Sequence, residues 1–217
     1  MARRSSSAIR QASAYVHGLM TTLASTTLHL VNRHTGEVLD IRRGVRDGVP
    51  VLELRGTLPP NQDGPLLHVH HLEDEEGRVT AGVLSAERGG ERFEVEAGQS
   101  LRLPRGIPHR WWNAGSAPLV FEGIVTPPVD LDRYLQAIFE VLNAGPKGRP
   151  PLIYLAHAAL RHRQTQKVLA MPDPLQAVVF RLAVLWGTVL GRYRGTQWPG
   201  CPARCGGVAE NAVAWGR

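Results

Sequence analysis

The chain has only two cysteines, Cys201 and Cys205, so no disulfide framework organises it. Both lie in a Pro- and Gly-rich tail with no histidine nearby, and free thiols are expected there rather than zinc ligands. No internal repeat is visible, and nothing has the pattern of a helix-turn-helix. Long apolar runs are missing as well. Ala14 to Ser25 is mildly apolar but is broken by His17 and Gly18, too interrupted for a secretory signal. A cytoplasmic protein is therefore expected. Leu175 to Gly191 is apolar nearly all round, but it is short for a membrane span and carries Arg181 at its centre. That stretch is expected to be a buried helix or a contact between subunits of a homodimer, not a membrane contact.

What is present suits one well-filled core: 217 residues, of which 43% are hydrophobic. The net charge of +6 points at first towards nucleic acid. Its distribution does not. Residues 1–46 carry +5, residues 47–127 carry −5 and residues 128–217 carry +6. An acidic module lies between two basic flanks, which disfavours a uniformly basic nucleic-acid binder.

From Thr27 the apolar residues follow the period of strands: Leu28 and Leu30, Val38 and Ile41, then Val51 to Arg55. The pattern continues through Val79 to Leu84, Arg92 to Val95, Leu101 to Leu103 and Leu119 to Val125. Turn signals separate these runs, and Gly89-Gly90 reads as a hairpin turn. Eight or nine short strands with no helical period among them predict a β-sandwich or closed barrel. After Pro127-Pro128 the period becomes helical. Asp130 is the expected N-cap of a first helix closed by Gly145, a second runs from Leu152 to about Arg163, and a third opens at Asp173-Pro174. The expected organisation is a basic flexible arm (1–26), a barrel (27–127), a helical extension (128–194) and an irregular tail (195–217).

The chemistry concentrates in Gly64-Pro65-Leu66-Leu67-His68-Val69-His70-His71-Leu72-Glu73-Asp74-Glu75. On a strand, His68 and His70 point to one face, about 6–7 Å apart along the chain, and two imidazoles so placed can share a metal ion. Glu75 returns to the same ion if the chain bends after His70, and His109 supplies a third imidazole after the turn Pro104-Arg105-Gly106. Three imidazoles and one carboxylate suit a divalent transition metal: Fe, Mn, Ni, Cu or Zn. Beside this stand plainer expectations. Glu73, Asp74 and Glu76 read as a solvated acidic turn, and His71 as an outward side chain. Trp111 either lines a pocket with His109 or is a core aromatic. His157, Arg161, His162 and Arg163 read as a basic helix face.

These residues resemble the two-motif signature of the cupin superfamily. The first motif here is His68-x-His70, four residues, Glu75, six residues, Gly82; the second is Gly98, five residues, Pro104-x-Gly106, two residues, His109, three residues, Asn113. The leading glycine of the first motif is absent, since position 62 is Gln. The resemblance covers about Leu28 to Thr126. It implies a mainly β protein, a cupin double-stranded β-helix or jelly-roll barrel, here followed by about three C-terminal α-helices. It further implies one metal ion held by His68, His70, Glu75 and His109, with Gly82 and Gly98 at turns of positive φ. Within that family dioxygenases, isomerases and cyclases all occur, so a metal-dependent enzyme on a small organic substrate is expected, with Glu75 as a candidate catalytic proton carrier. A non-catalytic small-molecule-binding module, with the helices mediating oligomerisation, is the alternative.

Overall fold

The structure, a computed structural model, describes residues 26–146 and 149–193. The expected N-terminal arm, up to residue 25, and the tail bearing Cys201 and Cys205 lie outside the described residues. In chain order the strands are β1 (Leu28–Val31), β2 (Val38–Arg46), β3 (Val49–Leu58), β4 (Gln62–Asp63), β5 (His68–His70), β6 (Asp74–Ala81), β7 (Val83–Arg88), β8 (Glu91–Glu96), β9 (Ser100–Leu103), β10 (His109–Asn113) and β11 (Leu119–Thr126). Helices α1 (Leu131–Ala144) and α2 (Leu152–Arg161), strand β12 (Gln166–Val168) and helix α3 (Asp173–Val189) follow.

The strands form two antiparallel sheets. One runs β1-β2-β3-β11-β6-β9, the other β12-β5-β10-β7-β8, with β4 also paired to β10. Alternation puts Leu39 and Ile41 of β2 inside, while Asp40 and Arg42 face out to His29 and Glu53. Leu52, Leu58, Val79, Leu119 and Val125 complete the centre of a single core between the sheets. Each such side chain contributes about 1.5–3 kcal/mol by leaving water.

Val79 to Leu84 reads as one run in sequence, but it is two strands in two sheets. Gly82 divides them at φ +77°, where an added Cβ would lie 2.6 Å from the Pro118 carbonyl oxygen. Only glycine combines that backbone with that approach. The jelly-roll crossover from β6 to β7 depends on it.

Helix α1 closes over one end of the barrel, with Leu131 and Phe139 joining the core. The Arg43 guanidinium on β2 holds it there, donating two hydrogen bonds of 2.7 Å to Asp132 and one of 2.8 Å to the Pro128 carbonyl. Asp130 is not the side-chain cap that the sequence suggests: its carboxylate makes no capping bond and instead accepts from His162 Nδ1 at 2.6 Å. His162 is thereby buried, which corrects its placement on a basic outer face.

Helix α3 buries Gln176, Phe180 and Gly187 but exposes Leu175, Val178, Leu182, Leu185, Trp186 and Val189. The expectation of a helix buried within the chain is thus corrected, because its neighbours α2 and β12 cover one side alone. No helix among the described residues is long and apolar enough to cross a membrane.

Candidate metal centre

Strand β5 places His68 and His70 on the same face, and the pairing of His109 on β10 directly opposite His68 brings in the third ring. The turn before β10 is fixed by Gly106, whose left-handed backbone (φ +76°) aims its N–H at the His70 carbonyl, 2.7 Å away. The ring centroids lie 4.4 Å (His68–His109), 5.0 Å (His68–His70) and 5.4 Å (His70–His109) apart. From the opposite sheet, Glu75 of β6 brings Oε1 to 3.2 Å from His70 Nε2 and Oε2 to 3.7 Å from His109 Nε2.

The decisive feature is where the ring protons sit. His68 Nδ1 lies 2.7 Å from the Leu66 carbonyl, and His109 Nδ1 lies 2.9 Å from the Ile107 carbonyl. A carbonyl only accepts, so both rings carry their proton on Nδ1 and turn a bare Nε2 lone pair inward. His70 Nδ1 likewise donates to Glu73 Oε2 at 3.2 Å. Three Nε2 atoms then face one another, with His68 Nε2 and His70 Nε2 only 3.1 Å apart. His109 Nε2 is fully buried with no hydrogen-bond partner among the described residues. Lone pairs so arranged repel unless a cation, a proton or a metal ion, lies among them.

The electrostatics agree. Burial, then the neighbouring His109 and His70, drives the His68 ring down to about 3, so it is neutral near pH 7. Burial would lower His70 too, but the Glu75 carboxylate and then Glu73 raise it on balance. Burial would raise Glu75, yet His70, His109 and His68 together hold its carboxyl down to about 2. A neutral imidazole, an anionic carboxylate and a cation-seeking gap are the ingredients of divalent-metal ligation.

Glu73 was expected in a solvated turn, and the structure overturns this: it is completely buried. Its Oε2 holds His70, while Oε1 accepts the N–H groups of Val129 (3.0 Å), Asp130 (3.2 Å) and Leu131 (3.3 Å) at the start of α1. One carboxylate thus caps the helix and orients an imidazole. His71 is exposed, as its strand parity requires. Trp111 does both things that the sequence left open, packing edge-on against Phe121 (centroids 4.9 Å apart) and lining the cavity beside the imidazoles.

That cavity measures about 600 Å³, a size that holds a small organic molecule. Its walls are mostly aliphatic and aromatic side chains from both sheets and from α1. Residues 54–126 match a family model described as a cupin domain. That stretch is a cupin-type domain. Position 62, where the leading glycine of the cupin motif would fall, is Gln62 of β4, and the residue before it, Asn61, takes the left-handed backbone (φ 54°) that a short polar side chain tolerates.

Among curated proteins, this chain is similar to the oxidoreductase iacF of Pestalotiopsis fici, with 37% identity over 120 residues, 54% of this chain and 52% of that protein. The chain spans about half the length of the curated relative it matches. Among solved structures it is similar to a sugar phosphate isomerase from a cupin superfamily from Silicibacter pomeroyi, with 23% identity, 41% of this chain, 59% of that chain and a TM-score of 0.35. It is also similar to KdgF from Halomonas sp., with 18% identity, 49% of this chain, 99% of that chain and a TM-score of 0.38.

Glu37, in the turn between β1 and β2, lines the same cavity and was not singled out in the sequence. Burial pushes its carboxyl up from 4.5 to about 7. A carboxyl raised on folding leaves stability intact below the unfolded value and removes it as pH rises through the folded one. Between pH 4.5 and 7.5 the wild type should therefore lose up to about 3 kcal/mol that Glu37→Gln retains. Urea unfolding at pH 4 and pH 8 checks this: the two proteins should match at pH 4, and the variant should be the more stable at pH 8.

Proposed function

We propose that this chain is a mononuclear metal-dependent oxidoreductase that acts on a small organic substrate held in the barrel cavity. The observation that carries the reading is the convergence of three Nε2 atoms whose opposite nitrogens are all committed as donors. His68, His70, His109 and Glu75 would hold the ion. The ion would supply Lewis-acid or redox chemistry at positions that these four ligands leave open. Glu75, half-buried and anionic, is the group able to accept a proton from a substrate at the centre. The apolar walls exclude water around it. Support for the oxidoreductase class, ahead of an isomerase or cyclase, comes from the name of the iacF relative. The homodimer stays part of this proposal, resting on the exposed apolar side of α3.

Elemental analysis of the purified protein tests the centre, with about one divalent transition-metal ion per chain expected. Oxygen-uptake screening with that metal then tests the class. Tight retention of a small ligand without turnover would replace the enzyme by the binding module, and a protein that takes up no metal would remove the metal centre and the enzyme built on it.

A further inference from the structure

Strand β12 lies outside residues 54–126, yet it is an edge of the sheet that carries the imidazoles. Gln166 pairs with His70, Lys167 with Val69 and Val168 with His68. Directly opposed residues on antiparallel strands share a face, so Gln166 and Val168 point the way His70 and His68 point, into the cavity that both line. Lys167 points the other way, to an ion pair with Asp173.

The backbone of this strand and of the residues flanking it is held on both sides. Gln166 N–H donates to the His162 carbonyl (2.9 Å), and the Thr165 carbonyl accepts from His71 N–H (2.7 Å). Leu169 N–H donates to the Leu67 carbonyl (2.8 Å). The Gln166 side chain, by contrast, is 3% exposed, and neither its Oε1 nor its Nε2 has a hydrogen-bond partner among the described residues. A buried carboxamide left so is costly, and natural cores rarely keep one without a use.

The cavity also limits what that amide meets. Arg78 is the one cationic side chain among its described lining residues, and it is exposed, with strand parity opposite to Glu75 and Val79. Glu37 and Glu75 are there as well. Asp63 and Glu76 line it too, so acids outnumber Arg78 and, the candidate ion aside, the cavity disfavours a carboxylate or phosphate.

We propose that Gln166 is a substrate-binding residue, and that the substrate is a neutral, largely apolar molecule with a hydrogen-bond donor and acceptor side by side, such as a hydroxy ketone. The carboxamide, buried in the cavity wall in this structure, would turn inward on binding to offer the matching acceptor and donor beside the imidazole of His70. This deepens the proposed function and rests on it for the substrate's position. The helical extension then completes the pocket, returning one strand to the barrel to supply a contact that the barrel's own strands do not.

The test compares wild type with Gln166→Leu and Gln166→Asn as full-length, metal-loaded protein. A glutamine kept for structure would lose stability on replacement. One kept for binding gives a Gln166→Leu protein that melts at a higher temperature and binds less well. By calorimetric titration, wild type should prefer 2-hydroxyacetophenone to the anionic mandelate. Gln166→Leu should lower affinity for 2-hydroxyacetophenone about tenfold or more, as loss of its hydrogen bonds requires, and weaken acetophenone, which keeps the acceptor alone, by clearly less. Gln166→Asn, too short to reach, should follow the leucine variant in binding. A lower melting temperature in Gln166→Leu, equal binding of both ketones, or a preference for mandelate would overturn the proposal. Metal content is read in parallel: binding lost with one ion retained supports Gln166, whereas protein without metal overturns the centre and leaves melting to decide on Gln166.

Discussion

Replacing His109 by alanine is expected to drop the metal content from about one ion per chain to well below that. His109 Nε2 is wholly buried and faces the other two imidazoles, while its Nδ1 proton is committed to the Ile107 carbonyl. The β-sheet register of β10 does not depend on the ring, so circular dichroism should remain that of a folded barrel. His109→Gln, closer in volume, guards against a simple packing failure and should lose metal similarly. An unchanged metal stoichiometry in both variants would remove His109 from the centre.

Glu73 carries the second large effect. Glu73→Ala strands the N–H groups of Asp130 and Leu131 at the start of α1 and the Nδ1 proton of His70 in a buried place, and leaves the Val129 N–H to the Pro127 carbonyl alone, which should cost about 3–5 kcal/mol in urea unfolding. Metal affinity should fall in the same variant by about 10–100-fold, since an unheld imidazole loses orientation and basicity. Glu73→Gln separates the two roles. Its amide oxygen can still accept from the helix N–H groups, but its NH₂ would confront the His70 Nδ1–H, donor against donor. That variant should keep more of the stability and still lose metal affinity. Full metal affinity in Glu73→Gln, or full stability in Glu73→Ala, would show that the carboxylate does not link helix to centre.

Much of the barrel was legible because its signals are local. Alternation in β2, β3 and β11 follows from a period of two residues, and Gly89-Gly90 marks the β7–β8 hairpin with both residues at positive φ (60° and 88°). The shared face of His68 and His70 needs only the same period. Other features were illegible for an equally physical reason. Glu73 looks like one acid among four in a turn, and only the arrival of α1 makes it a cap. The break at Gly82 hides inside an apolar run, since its need for glycine comes from the distant Pro118 carbonyl. β12 is three residues long, too short for any periodic signal, and pairing alone makes it a strand.

The sequence by itself determined the two-layer β architecture, the helical extension and the motif spacing that points to His68, His70, Glu75 and His109, because periodicity and turn chemistry act within a few residues. Tertiary structure alone decided which atoms of those side chains face one another, which nitrogens keep their protons, that Glu37 and Gln166 line the same cavity, and that Glu73 stands behind His70. These are consequences of burial and of pairing between segments far apart in the chain, and no local pattern encodes either.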